Sequence, residues 1–405
     1  MVREEIWYTG EEIESKLLRT RGRIKEKVSL NLARGIALFL VAGLAAASLG
    51  CQVPMPPMDT GPVGLGAVKI AYIVGSELWT VNWDGGEPVR VAENVALNPP
   101  GCKPYYISPN GHLVVYQTTD GQLWMAETRG ATHTPLASGT VSAVSWFPDS
   151  RGLVYILNDQ IYVHPFEEGQ SPQVVASGGG KYFLPSWSPD GRYVAFLEAS
   201  GGGAFNVALI KLESLENVSP RILGNTVPST KGRACPEIIS WSPDSTKILV
   251  DYGHPAFVFY VAGGTPIQIS SSEEGVSHRW SPDGQTIAFR ERDGSLWLIN
   301  ADGSGQRPLV AEAIRELAWS PVSPEIAYTT EGGPNDLWLV NAGDGGKRQL
   351  TTGDGYYESS PLWTLDGSRV VFLREGAGLW SVATDGGDLR QLAPAGNMVE
   401  VFAFR

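Results

Sequence analysis

The sequence predicts an all-β protein, an eight-bladed β-propeller of four-stranded antiparallel blades. Two observations predict it. The first is a strand-like run that ends in a variant of aromatic-Ser-Pro-Asp-Gly and restarts as a second apolar run, seven times over. The clearest copies are Trp187-Ser188-Pro189-Asp190-Gly191 before Val194-Ala195-Phe196, and Trp280-Ser281-Pro282-Asp283-Gly284 before Ile287-Ala288-Phe289. Other copies begin at Ile107, Trp146, Trp241, Trp319 and Trp363, so the anchors lie 39, 41, 54, 39, 39 and 44 residues apart. A period of about forty with one hairpin signal per copy describes a radial array of small sheets. The second observation is a complementary deficit at the ends. The segment from Lys69 carries second-, third- and fourth-strand signals with no anchor strand before them, while Val401-Phe402-Ala403-Phe404-Arg405 aligns with Glu316-Leu317-Ala318-Trp319-Ser320. The C-terminal strand is therefore expected to pair with Ile70-Ala71-Tyr72 as the innermost strand of the first blade, leaving no open sheet edge in the ring.

Each unit reads in order as four strands. The first ends at the anchor aromatic, and Ser-Pro-Asp-Gly makes the turn: Pro presets φ, Asp bonds local backbone, and Gly accepts positive φ. The second strand alternates, as in Arg192-Tyr193-Val194-Ala195-Phe196. The third is marked Leu-Trp at 78–79, 123–124, 296–297, 337–338 and 379–380, and ends in Asp-Gly turns such as Asp302-Gly303. A fourth, edge-like strand follows, as in Arg390-Gln391-Leu392. Of 13 tryptophans, 11 sit at the anchor or Leu-Trp position, a lattice that suits wedges between sheets rather than ligand contacts.

The N-terminal part is organised differently. Residues 1–34 form a charged n-region. Residues 35–51 then hold GIALFLVAGLAAASLG, 16 uncharged residues followed by Cys51. The run is short for a bilayer span and suits a secretory signal. Small residues before Cys51 resemble a bacterial lipoprotein signal and make Cys51 the candidate lipidation site; an uncleaved anchor and simple secretion are the other readings. Residues 52–66 read as a Pro/Gly-rich tether, and 67–405 as the propeller. All three readings place the propeller outside the cytoplasm, in the periplasm or at the cell surface, and the two anchored readings give it membrane contact through the N-terminal anchor only.

Residues 1–50 hold eight Lys/Arg and six Asp/Glu, so without them the net charge goes from −12 to −14. Such a body is a poor partner for nucleic acid. Cys102 and Cys235 remain after Cys51 and could form a disulfide in an oxidising compartment. No Gly-x-Ser-x-Gly elbow, phosphate loop or His-Glu-x-x-His pattern occurs, so no enzyme activity, cofactor or metal is expected.

The tight turns fall at one end of every blade, and the length variation falls at the other. Variable loops on a rigid scaffold are where binding usually resides. The candidate partner-binding face at that end comprises Lys103, Tyr105, Tyr106, Tyr182, Phe183, Glu237, His278, Arg315, Tyr356, Tyr357 and Glu400. The expected partner is a protein or peptide of the cell envelope. The alternative is a glycan-binding or metal-dependent, lyase-like propeller using these aromatics, with His254 and His278 near Glu237.

The unit resembles the TolB-type, WD-like propeller repeat across residues 67–405. The resemblance implies a bacterial envelope propeller. TolB proteins place an α/β domain before a propeller of usually six blades, whereas this repeat starts near Lys69 and runs to eight. The same repeat occurs in the propeller halves of prolyl-oligopeptidase-type enzymes. Oligogalacturonate-lyase-like propellers instead use a His-rich metal centre, which His112, His133, His164, His254 and His278 do not resemble.

Overall fold

The Ser-Pro-Asp-Gly segments turn because their own side chains satisfy the reversing backbone. Ser188 Oγ donates to Asp190 Oδ1 at 2.6 Å, and the Arg192 amide donates to the same oxygen at 3.1 Å. The Tyr193 amide donates to Ser188 Oγ at 3.0 Å, and Gly191 sits at φ 72°. The same network recurs at Ser281–Asp283, Thr364–Asp366 and, with Asn in place of Asp, Ser108–Asn110. The Ser281 hydroxyl and the Gln285 amide hold the Asp283 carboxyl below the usual carboxylate range. These carboxylates are turn-formers, and their chemistry is consumed locally.

The computed structural model describes residues 69–403 except 84, 87, 97–105, 140, 168, 178–180, 202–203, 213–219, 226–237, 252–255, 270–277, 334, 354 and 395–397; the side chains of 69, 106, 201, 238 and 398–403 are also outside the description. The expectations for residues 1–66, including Cys51, and for Cys102, Lys103, Tyr105, Cys235, Glu237, His254 and Phe404 therefore lie outside the described residues, as do the side chains of Tyr106 and Glu400. Among the described residues no helix is long and apolar enough to cross a membrane.

The described strands run from β1 (Lys69–Val74), β2 (Glu77–Asn82) and β3 (Val89–Ala92) to β32 (Met398–Ala403), and they form eight four-stranded antiparallel sheets. Blade 1 has the order β3-β2-β1-β32, with Ile70 opposite Ala403 and Tyr72 opposite Val401. Blades 2 to 8 each use four consecutive strands and open on the anchor strand. These first strands are β4 (Tyr106–Ile107), β8 (Val141–Trp146), β12 (Tyr182–Trp187), β16 (Ile238–Trp241), β20 (His278–Trp280), β24 (Ile314–Trp319) and β28 (Glu358–Trp363). They pack side by side: β4 on β8, β8 on β12, β12 on β16, β20 on β24, β24 on β28, β28 on β32, and β32 on β4.

The core lies between blades. Ala195, Leu197 and Val207 of blade 4 pack with Trp241, Ile248 and Val250 of blade 5. Ile70, Tyr72 and Val81 of blade 1 pack with Val371, Leu379 and Leu392 of blade 8. The Leu-Trp tryptophans lie in these layers, as Trp124, Trp297, Trp338 and Trp380 do. The anchor tryptophans also tie each sheet to the one before it. Trp241 Nε1 donates to Ser186 O, Trp280 to Ser240 O, Trp319 to Arg279 O and Trp363 to Ala318 O, at 3.0–3.2 Å. In each case the acceptor is the residue just before the neighbouring blade's own anchor. Trp187 departs from the pattern: among the described residues its Nε1 has no hydrogen-bond partner. Blade 3 has Phe147 where the other anchor turns have Ser or Thr, and that ring lies 4.0 Å from Trp187 between centroids.

Candidate functional site

The first strands carry a device that the repeat pattern does not announce. In β24, Ile314 faces Thr330 and Glu316 faces Thr329, so Arg315 is an extra residue. Ser142 is extra in β8 in the same way. In β28, Ser359 faces Leu373 and Leu362 faces Val371; in β12, Phe183 faces Leu197 and Ser186 faces Ala195. Each of these strands bulges at the end where the inter-blade connections arrive. Bulges leave a residue out of the ladder and re-aim side chains, and they concentrate beside binding sites.

Two of the bulges are also strained. Ser360 lies at φ 55° and Leu184 at φ 48°, each immediately before a proline. A non-Gly residue there costs on the order of 1 kcal/mol, and the residue before proline normally avoids helical backbone. In blade 8 the neighbouring blade compensates, because the Ser360 amide donates to Glu316 Oε2.

Upstream of the blade 8 bulge, a buried ionic network underlies Tyr356, the first of two exposed tyrosines. Arg374, at the end of β29 (Arg369–Arg374), donates to Glu358 Oε1 at 3.0 Å, and both side chains are nearly inaccessible. The second oxygen of Glu358 accepts the Thr351 hydroxyl, and Thr351 Oγ1 in turn accepts the Leu337 amide at 2.9 Å. The Glu358 amide donates to Asn335 O at 3.2 Å. The loop of blade 7 and the entry to blade 8 are thereby one bonded unit. The Arg374 guanidinium lies 5.4 Å from the Tyr356 ring centroid and 4.9 Å from that of Trp380, within cation–π range. Tyr356 is 39% exposed and Tyr357 49% exposed. The amide of Glu375, itself exposed, donates to Tyr357 O at 2.9 Å.

The other candidate residues fall elsewhere. Tyr182 is 5% exposed and packs edge-on to Phe196 at 5.5 Å. Phe183 packs edge-on to Phe205 at 5.2 Å. These two rings act as wedges between blades, because they lie inside β12 rather than before it. His278 is 1% exposed, with Nδ1 2.8 Å from Asp251 Oδ2 and its ring stacked on Phe289. Its pairing with Asp251 ties blade 6 to β17 (Lys247–Asp251) of blade 5. Burial thus removes Tyr182 and His278 from any exposed face. Among the described residues no group of three or more His, Cys, Asp or Glu is placed to hold a metal ion. Arg315 is exposed, as expected for a bulge residue. Arg374, Glu358 and Glu375 escaped sequence reasoning. The signal available was the run Tyr356-Tyr357-Glu358 set further from its anchor than Tyr182-Phe183.

No family model matches the chain. A Tol-Pal system protein TolB of Anaeromyxobacter dehalogenans is 32% identical over 108 residues, 25% of this chain and 24% of that protein. An uncharacterised protein of Agrobacterium fabrum is 25% identical over 200 residues, 47% of this chain and 64% of the relative. A probable dipeptidyl peptidase 4 of Trichophyton verrucosum is 19% identical over 238 residues, 46% of this chain and 31% of the relative. The chain thus spans between a quarter and two thirds of these relatives' own lengths. Among solved structures, dihydro-heme d1 dehydrogenase NirN superposes with TM-score 0.61 at 14% identity, covering 87% of this chain and 78% of that one. Porphyromonas gingivalis dipeptidyl peptidase 4 superposes with TM-score 0.58 at 14% identity, covering 82% and 60%. At such identities the likeness is one of fold. Fold and repeat together define a WD-like β-propeller. Within that class, about a quarter of the chain is similar in sequence to TolB.

Proposed function

We propose that this chain is a non-enzymatic, extracytoplasmic propeller, tethered to the membrane by residues 35–51, that binds a protein or peptide through the end carrying the inter-blade connections. The observation that carries the reading is the Tyr356–Tyr357 pair, exposed on a bonded platform beside bulged first strands. Holding exposed aromatics in one arrangement costs conformational entropy before any partner arrives, and a preorganised surface gives that cost back on binding. The relatives named for the Tol-Pal system support an envelope location, and Cys51 after its apolar run supports a lipid anchor. The pairing of β1 with β32 is read as the closure that keeps the ring intact.

Cross-linking in intact cells, followed by capture of the full-length chain, tests the binding function. A specific partner recovered with wild type and lost with Tyr356→Ala/Tyr357→Ala is expected. Recovery of matrix background alone would count against the reading. Membrane fractionation of Cys51→Ala tests the tether: release of the protein is expected, and retention would favour the uncleaved anchor.

A further inference from the structure

We propose that Tyr356, Tyr357 and Glu375 form a receptor for a lysine or arginine side chain on a segment of the partner. The proposal rests on the binding-scaffold reading above and names the chemistry of its occupant.

The argument is one of leftover charge. The cation beneath the platform, Arg374, is committed to Glu358 and to the rings of Tyr356 and Trp380. Its opposite charges cancel in the buried interior, so they give an approaching partner little field. The acids nearby on blade 7 are also paired, Glu331 with Arg290 and Glu312 with Lys347. Glu375 differs: among the described residues its carboxylate has no ion pair or hydrogen bond, and it occupies the turn between β29 and β30 (Gly378–Ala383). Its amide bond to Tyr357 O fixes that turn against the backbone of the exposed tyrosine. Tyr357 likewise has no side-chain partner among the described residues. The Tyr357 ring face and the unpaired carboxylate attract a cation, and the carboxylate repels an anion. The body carries a formal charge of −14 without residues 1–50, so long-range steering favours the same sign of partner. Arg315, exposed on the neighbouring blade, is the local exception, so a segment crossing toward blade 7 should carry its cations on the blade 8 side.

The test uses full-length protein in detergent and two fluorescein-labelled octapeptides, one alternating Lys and Gly, the other Glu and Gly, followed by anisotropy at low salt. The Lys peptide should bind and the Glu peptide should not. Tyr357→Ala and Glu375→Gln should each weaken binding about three- to fivefold without shifting the melting temperature. Glu167→Gln, the same charge change on blade 3 at the opposite end, should leave it unchanged. Arg315→Ala should leave it unchanged or tighten it. No binding of the Lys peptide, preference for the Glu peptide, or equal weakening by Glu167→Gln would overturn the receptor. The two readings fail separately. Peptide binding without any partner captured from cells defeats the scaffold. A captured partner that survives Tyr357→Ala/Glu375→Gln defeats the receptor.

Discussion

Blades 4 and 8 stand opposite each other in a ring of eight, and their first strands solve the same backbone problem with different side chains. Both carry one extra residue, a left-handed residue and then a proline. In blade 4 the aromatic pair Tyr182-Phe183 lies five and four residues before its anchor, within β12, and packs into the core. In blade 8 the pair Tyr356-Tyr357 lies seven and six residues before its anchor, ahead of β28, and faces solvent. A shift of two residues along the chain separates a wedge from a display. The positions that Tyr182 and Phe183 fill in blade 4 are held in blade 8 by Glu358 and Ser359, and Glu358 needs Arg374 to be buried at all.

The comparison can be broken most severely at its edge. β28 packs against β32, whereas β12 lies between two blades built from continuous chain. Deleting residues 398–405 should expose β1 and aggregate the protein, and hydrogen exchange at mild denaturant should rise first in blades 8 and 1, last in blade 4. Soluble protein with unchanged protection would remove closure by β32 as a stabilising element.

The next effects are residue-sized. Tyr182→Ala should cost about 3–5 kcal/mol, read as a shift in the urea midpoint, because it empties a packed site. Arg374→Leu should cost a similar amount, about 3–5 kcal/mol, by leaving the Glu358 carboxylate buried without its cation. Adding Glu358→Met to Arg374→Leu should restore most of that loss, an outcome with no counterpart in blade 4.

A smaller effect separates blades 3 and 7. His164 in β10 (Gln160–Pro165) occupies the third-strand place that Val340 holds in β26 (Leu337–Asn341). Burial pushes its pKa down to about 4, and among the described residues its Nδ1 has no partner. The unfolded chain, with an ordinary histidine near 6.5, therefore takes up the proton first. Stability is full above about pH 6.5 and falls as pH drops toward 4, by at most about 3 kcal/mol. His164→Val should flatten that limb, measured by urea midpoints between pH 4 and 7. The smallest effect is the sharpest control: Tyr357→Ala should change stability by less than about 0.5 kcal/mol, against the large loss for Tyr182→Ala.

What the sequence determined by itself was everything local. The turns were legible because Ser, Pro, Asp and Gly within five residues satisfy their own backbone, and the blade count followed because that chemistry recurs at an even spacing. The tryptophan lattice identified wedges because a site residue has no reason to repeat. Tertiary structure alone decided what is exposed. Tyr182-Phe183 and Tyr356-Tyr357 differ as text only in their distance from the anchor, and the register of each strand against its neighbour turns that difference into a ring that meets a sheet or one that meets water. Arg374 and Glu358 lie sixteen residues apart, and His278 and Asp251 twenty-seven. Their partnerships depend on sheets closing over them, since a buried charge finds its counterion only where the fold has already excluded solvent.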